Sequence, residues 1–204
     1  MVFMQNWMKQ LSHHYHNIRC LHPDDKLIIL FDIDGTILDM RAMMLHVLKS
    51  FDRHNQTDHF TSLTLDAITV HENQIDVLLD CLCVPRASWD DIIGWYADNL
   101  WSNDTIYTAH LPYIGVMEVI RWFQIQPNTF VGLNTGRPDT LREETLNSLN
   151  RLGKAYKVHF SDMLLSMNSL DWEQGYRHPR LRMCEGFKKT AFGYLLLSTM
   201  NRKT

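Results

Sequence analysis

Two carboxylates lie one residue apart in the stretch LIILFDIDGTILDM, residues 27–40. Asp32 and Asp34 directly follow residues 27–31, a run of five apolar residues that is typical of a buried parallel strand. An ionised carboxylate that leaves water without a partner is very costly, so these two acids need a counter-charge. A divalent cation together with a phosphate would supply it. The pair therefore predicts a metal-assisted phosphate site.

A calcium loop is the alternative for an Asp-x-Asp-Gly pattern. If Gly35 were the sixth loop position, the first would be Leu30 and the twelfth Arg41. A calcium loop of the EF-hand type needs a carboxylate at the first position and a glutamate at the twelfth. An apolar strand also precedes the acids where a helix should lie. We therefore exclude this alternative.

A second apolar run, residues 129–133, ends in a polar turn that contains Asn134, Thr135 and Gly136. Parallel sheets bind ligands outside the carboxyl ends of their strands. Because Asp32 and Asp34 follow one such strand and Thr135 follows another, we expect these side chains to lie near one another. They form the predicted site.

The remaining pattern favours a doubly wound α/β fold. Apolar residues at helical spacing predict a helical block over residues 40–111, and a further helix precedes residue 129. A proline opens another predicted helix, LREETLNSLNRLG, and KVHFSDMLL predicts a short third strand. Strand and helix thus alternate around an inserted helical block. Residues 1–25 are an N-terminal appendage, in which HHYH at 13–16 is either a solvated helix or tail, or a metal-binding group.

Three segments together resemble the haloacid dehalogenase-like (HAD) hydrolase superfamily. FDIDGTILD resembles its first motif, FVGLNTGRP resembles its second, and LPYIGVMEVIRWF resembles the loop and helix that precede the second. The resemblance covers residues 27–165 and implies a Rossmannoid core, residues 26–39 and 112–204, with a type-1 helical cap at residues 40–111. It also implies that the core is incomplete at its C-terminal end.

The resemblance implies roles for the acids. Asp32 would be the nucleophile that forms an aspartyl-phosphate, and Asp34 would protonate the leaving oxygen and then deprotonate water. Mg²⁺ would bind the Asp32 carboxylate and the Asp34 carbonyl, and Thr135, Gly136 and Asn134 would bind the phosphate. Dehalogenase-type members have no acid at the second position, because a halide leaves without a proton. Asp34 therefore favours phosphoryl transfer.

Other residues are weaker candidates. Arg137 either adds charge for the phosphate or pins its loop, and the Thr36 hydroxyl is expected to brace the turn after Asp34. The cap segment HENQ, residues 71–74, is either a helix start with solvated side chains or part of a substrate pocket. Lys188 or Lys189 could provide the lysine that the family uses to neutralise the nucleophile.

The fourth family motif, an apolar strand that ends in acids and completes the metal site, has no counterpart after Asp162. A shifted reading frame offers an explanation. Read from the third base of the Leu197 codon, LSTMNRKT can encode an apolar residue followed by D-N-E, much like this motif. We therefore hypothesise that a frameshift replaced the C-terminal part somewhere after Trp172, which would impair hydrolysis. Sequencing the coding DNA tests this.

Composition limits the partners. The 204 residues are 45% hydrophobic and 21% charged, with a net charge of −3, which is typical of a globular protein and provides no attraction for nucleic acid or acidic membranes. No segment resembles a signal peptide or a membrane span, so we predict a cytoplasmic protein. The four cysteines do not form a disulfide framework, and the pair Cys81 and Cys83 is expected to be buried among apolar residues.

The sequence thus predicts an Mg²⁺-dependent phosphatase of a small phosphorylated metabolite. A phosphomutase needs the same residues and remains an alternative. A third possibility is a non-catalytic protein that keeps the phosphate pocket without turnover. The identity of the substrate and the oligomeric state are left open.

Overall fold

The computed structural model describes residues 2–168 and 193–196. Its strands are β1 (Leu27–Phe31), β2 (Thr129–Pro138), β3 (Leu165–Asn168) and β4 (Gly193–Leu196). They form one sheet in the order β3-β2-β1-β4, and every neighbouring pair is parallel. The α/β class predicted from the sequence is confirmed.

Helices fill the connections between the strands. They are α1 (Val2–Leu21), α2 (Met40–Asn55), α3 (Ile75–Cys81), α4 (Trp89–Asn99), α5 (Asn103–Ala109), α6 (Val116–Gln124) and α7 (Arg142–Gly153). Short 3₁₀ helices cover Leu65–Ala67, Arg86–Ser88, Asp139–Leu141, Lys154–Tyr156 and Asp162–Leu164. Among the described helices, none combines the length and the apolar character needed to cross a bilayer.

The strand β1 lies between β2 and β4, and all five of its residues are buried. The amphipathic helix α6 packs against the sheet through Met117, Ile120 and Phe123. These residues belong to the core cluster, the buried apolar group that packs against the sheet. Burial of this kind is non-directional, so apolar spacing alone is enough to predict it.

The N-terminal helix α1 is docked on the core. Leu11 and Tyr15 belong to the core cluster, and the Tyr15 hydroxyl lies 2.8 Å from the Thr129 hydroxyl at the start of β2. The Arg19 guanidinium donates hydrogen bonds to the Asp25 carbonyl at 2.7 Å and to the Pro127 carbonyl at 3.1 Å. The imidazoles of the HHYH segment are exposed, and the segment is helical, which is one of the forms expected for it, although its Tyr15 is buried.

The helices α2 to α5 enclose a second apolar group, the cap cluster, which includes Met44, Leu48, Phe60 and Ile92. The two chain segments that join this part to the core run side by side. The Asp39 amide donates to the Leu111 carbonyl at 2.8 Å, and the Tyr113 amide donates to the Ile37 carbonyl at 2.9 Å. These bonds lie where we predict the domain boundaries, residues 39/40 and 111/112.

Several local predictions are wrong. The strand expected within KVHFSDMLL begins only at Leu165, and Val158 and Phe160 are buried in irregular backbone instead. The strand β4 was not predicted, whereas α5 lies within residues 40–111, which were predicted to be helical. Cys81 and Cys83 are exposed rather than buried: Cys81 is the last residue of the short helix α3, and Cys83 follows two residues later.

Candidate active site

The turn after β1 places Asp32 and Asp34 at the carboxyl end of the central strand. The Ile33 amide donates to the Asp32 carboxylate at 2.9 Å, and the Gly35 amide donates to the Leu38 carbonyl at 2.9 Å. Gly35 has φ +72°, a left-handed conformation that an L side chain rarely adopts, so the sharp exit predicted for this glycine is confirmed. The hydrogen bond that we expected the Thr36 hydroxyl to form across this turn is not present, because this hydroxyl has no hydrogen-bond partner among the described residues.

Asp34 is held by Arg137 in a bidentate ion pair. The Arg137 Nε lies 2.9 Å from one carboxylate oxygen, and Nη2 lies 2.6 Å from the other. The Thr135 hydroxyl approaches the same carboxylate at 3.4 Å and accepts the Arg137 amide at 3.2 Å. The structure therefore brings Asp34, Thr135 and Arg137 together at the carboxyl edge of β1 and β2.

The Arg137 side chain is only 1% exposed, although it carries a charge. Its Nη1 donates to the Thr145 hydroxyl at 3.0 Å, and its Nη2 lies 3.1 Å from the His110 Nε2. The guanidinium carbon lies 4.8 Å from the centroid of the Trp101 ring, within the range of a cation–π contact. Arg137 thus contacts the turn after β1, helix α7 and the segments on either side of α5.

The other predicted residues lie around this cluster. Gly136 is exposed and Asn134 is half-buried on β2, so both adjoin Thr135 along the chain. Lys188 lies outside the described residues. Glu72, from the cap segment HENQ, is close enough to Asp34 and Arg137 to interact with them electrostatically, whereas His71, Asn73 and Gln74 are exposed.

Burial perturbs two ionisable groups on the cap side. It raises the pKa of Glu72, and the negative charge of Asp34 adds to this, while the Glu72 amide, His71 and Arg137 oppose it. Burial also raises the pKa of Tyr96 above its usual value, helped by the charge of Glu72. The Tyr96 hydroxyl donates to the Glu72 carbonyl at 3.0 Å, which fixes the backbone of this segment against α4.

His110 is the most strongly perturbed group near the site. Burial, together with the nearby charges of Arg137 and Arg151, lowers the pKa of His110 to about 3. The imidazole is therefore neutral at physiological pH. Its Nδ1 lies 2.8 Å from the Ser148 hydroxyl on α7.

Sequence reasoning missed His110, Thr145 and Ser148. A signal existed for two of them: Thr145 and Ser148 lie three residues apart with Leu149 on the buried face of α7. Polar residues at core positions of an amphipathic helix indicate a buried hydrogen-bond network. No local pattern distinguishes His110 from the other ten histidines of the chain.

The oxygen donors suit Mg²⁺ only in part. No group of three or more His, Cys, Asp or Glu side chains within the described residues could hold a metal ion. Mg²⁺, however, keeps several waters and often binds through one or two carboxylates plus substrate phosphate oxygens. The Asp32 carboxylate and the Asp34 carbonyl fit this weaker arrangement, in which substrate and water supply the remaining oxygens.

Comparisons with known proteins give one informative result. No family model matches the chain, and no curated protein matches it by sequence. Among solved structures, a HAD-superfamily hydrolase of subfamily IA, variant 1, from Geobacter sulfurreducens aligns with a TM-score of 0.53 at 10% identity, covering 86% of this chain and 79% of that one. A predicted phosphatase from Clostridium acetobutylicum aligns at 14% identity over 84% and 76%, with a TM-score of 0.45 that is too low to support an argument.

The chain therefore has the fold of HAD-superfamily hydrolases, and the resemblance noted in its sequence motifs is confirmed at that level. Its sheet order places β1 in the middle, with β2 on one side and β4 on the other. The candidate site lies at the carboxyl edge of β1 and β2.

Proposed function

We propose that the protein is a phosphatase of a small phosphorylated metabolite, with Asp32 as its nucleophile. One observation carries the proposal: Asp32 and Asp34 lie at the carboxyl end of the central strand of a HAD-like fold, and Thr135 from the adjacent strand lies next to Asp34. Ligands of parallel sheets bind at this edge. The predicted cytoplasmic location remains a prediction.

The proposed reaction has two steps. An Asp32 oxygen attacks phosphorus while Asp34 protonates the leaving oxygen, and Asp34 then takes a proton from the water that hydrolyses the aspartyl-phosphate. Thr135 and the amide of exposed Gly136 hold phosphoryl oxygens, with Asn134 beside them. Mg²⁺ at the Asp32 carboxylate and the Asp34 carbonyl would supply charge neutralisation between nucleophile and phosphate. Two like unit charges about 4 Å apart repel by about 4 kcal/mol at an effective dielectric near 20, so this neutralisation is needed.

The Asp34–Arg137 pair orients the acid used in the first step. Each Asp34 carboxylate oxygen accepts one hydrogen bond from Arg137 and keeps a second lone pair that can carry the proton for the leaving oxygen. The residues that follow β4, Leu197 to Thr204, include no Asp or Glu, although β4 is the strand next to β1. We therefore expect slow turnover and weak Mg²⁺ binding in the absence of phosphate.

Hydrolysis of p-nitrophenyl phosphate, measured with and without Mg²⁺, tests the proposal. Removing a catalytic nucleophile typically costs several orders of magnitude, so we expect Asp32→Asn to lower turnover at least about a thousandfold. Asp80→Asn, on the exposed surface of α3, is the matched control and should leave turnover unchanged. Turnover that survives in Asp32→Asn would refute the nucleophile assignment.

A non-catalytic phosphate-binding protein is the second candidate, favoured by the absence of acids after β4. Calorimetric titration with inorganic phosphate separates the two. Binding that is lost in Thr135→Val, with no turnover under any metal condition, would support the binding protein. A phosphomutase remains the alternative within enzymes, and it would transfer the phosphoryl group to a second hydroxyl of the substrate rather than to water.

A further inference from the structure

The Arg137 guanidinium is not accessible to a substrate in this structure. Four of its five N–H groups are directed at named partners: two at Asp34, one at Thr145 and one at His110. The side chain is 1% exposed, whereas that of Asp34 is 16% exposed. Arg137 therefore acts on the site through Asp34 and does not contact a ligand itself.

The hydrogen bonds fix the tautomer of His110. An arginine has donors and no acceptor, so the His110 Nε2 must be the acceptor of the bond from Arg137 Nη2. In a neutral imidazole the proton then lies on Nδ1, which donates to the Ser148 hydroxyl at 2.8 Å. The Ser148 hydroxyl in turn donates to the Ile106 carbonyl at 3.2 Å. Each donor along this chain finds an acceptor.

This chain of bonds spans the two parts of the molecule. His110 directly follows α5, at the end of the helical cap, while Ser148 and Thr145 belong to α7 of the core. Ile106 lies on α5, so the last hydrogen bond of this series leads back to the cap. The charged groups near the imidazole are Arg137 and Arg151, with Asp34 on the far side of the guanidinium.

We propose that His110 is a positioning residue for the active site. With its Nε2 lone pair it holds the Arg137 guanidinium, together with Thr145, in the orientation that fixes the Asp34 carboxylate. The end of the cap is thereby coupled to the acid that the proposed reaction uses. The geometric part of this inference is independent of turnover; its kinetic consequence rests on the proposed phosphatase function.

The carboxyl carbon of Asp34, observed by NMR in protein labelled with ¹³C aspartate, measures the coupling directly. Loss of one signal in Asp34→Asn assigns it. We expect this signal to shift in His110→Leu and in Thr145→Val, since each removes one acceptor of the guanidinium. His110→Gln, which keeps an acceptor near the Nε2 position, should restore most of the native shift.

The matched control is His46→Leu. His46 lies on α2 in the cap and pairs with Asp104 at 3.0 Å, with no contact to Arg137. It should leave the Asp34 signal and the activity unchanged. If His110→Leu fails to fold, the ring spectrum of His110 in the wild-type protein decides whether its Nε2 accepts from Arg137. An Asp34 signal that stays in place in the folded variants would overturn the proposal, as would a ring spectrum of His110 with the proton on Nε2.

Kinetics give the second readout. If the wild-type protein hydrolyses p-nitrophenyl phosphate, His110→Leu should lower kcat about tenfold or more with KM changed less than about threefold, because proton transfer by a positioned acid contributes about 10²- to 10⁴-fold. A raised KM with native kcat would contradict the inference. If the wild type shows no turnover, the phosphatase proposal fails, and the Asp34 signal still decides the role of His110.

Discussion

Two regions of the molecule are held together by different interactions: the apolar packing around β1, which we call the floor, and a cluster of polar side chains at the carboxyl edge of the sheet, which we call the seam. On the floor, β1 and the α6 residues Met117, Ile120 and Phe123 are apolar and bury surface without directional requirements. In the seam, which we define as Asp34, Arg137, His110, Thr145 and Ser148, each polar group has a specific partner. The floor tolerates approximate shape complementarity, while the seam depends on every bond being made.

This difference separates stability from chemistry. A floor residue contributes through the area that it removes from water, so its loss should destabilise the fold without a specific effect on the site. When a seam residue is replaced, another polar group close to Asp34 loses its hydrogen-bond partner, and the free energy of unfolding falls as a result. The seam should therefore be the region where stability and activity change together.

The largest stability effect is expected on the floor. Phe123 is fully buried and packs edge-on against Phe31, Tyr15 and Trp122. Phe123→Ala should lower the free energy of unfolding by about 4 kcal/mol, since it removes apolar area and leaves a cavity. Urea denaturation measures this. Ile125→Ala, whose side chain is 57% exposed directly after α6, is the control and should cost well under 1 kcal/mol.

Arg137→Met should have the next largest effect. It leaves the Asp34 carboxylate, the His110 Nε2 and the Thr145 hydroxyl without their donor, and we expect a loss of about 3 kcal/mol because breaking a buried ion pair costs about 3 to 5 kcal/mol and Asp34 is partly exposed. The double variant Arg137→Met with Asp34→Leu should recover part of this loss, as it removes the orphaned charge. A double variant less stable than Arg137→Met would contradict the ion-pair interpretation.

The pH dependence of stability comes third. The pKa of His110 is about 3 in the folded protein, below the usual value of about 6.5 that applies to the unfolded chain. Between these values the unfolded chain binds a proton that the folded protein does not, so stability falls as the pH drops below about 6.5. From pH 7 to pH 5 this amounts to about 2 kcal/mol. His110→Gln should show a loss smaller by that amount, because the exposed histidines titrate in both proteins and cancel.

The sequence predicted the floor well and the seam poorly. β1 has the predicted bounds, Leu27–Phe31, because its apolar run has a single stable placement, the middle of a sheet. Gly35 was also predicted correctly, since the exit from the strand requires a residue that accepts positive φ. To predict the Asp34–Arg137 pair, the distance between the turn after β1 and strand β2 would have to be known, and no local sequence pattern contains it.

The region predicted as the third strand shows that a buried apolar residue need not lie in a strand. Phe160 is buried as its apolar character suggests, yet its amide donates to the Asn150 side chain at 2.7 Å and its carbonyl accepts from the same side chain at 3.1 Å. The Asn150 amide thus satisfies the backbone groups that a neighbouring strand would otherwise have to satisfy. The Val158 amide likewise donates to the Gly153 carbonyl at 3.0 Å. The strand could therefore begin later, at Leu165.

The smallest effect concerns the hydrogen bond between Tyr15 of α1 and Thr129 of β2. Tyr15 is buried, and its hydroxyl lies 2.8 Å from the Thr129 hydroxyl at the first residue of β2. Tyr15→Phe keeps the ring in the core and removes this bond, so we expect a loss of about 1 kcal/mol in the free energy of unfolding. Tyr156→Phe, at a residue that is 41% exposed, should cost almost nothing. A loss for Tyr15→Phe no larger than for this control would show that this hydrogen bond does not help to attach α1, which would then be held by apolar packing and by the hydrogen bonds of Arg19.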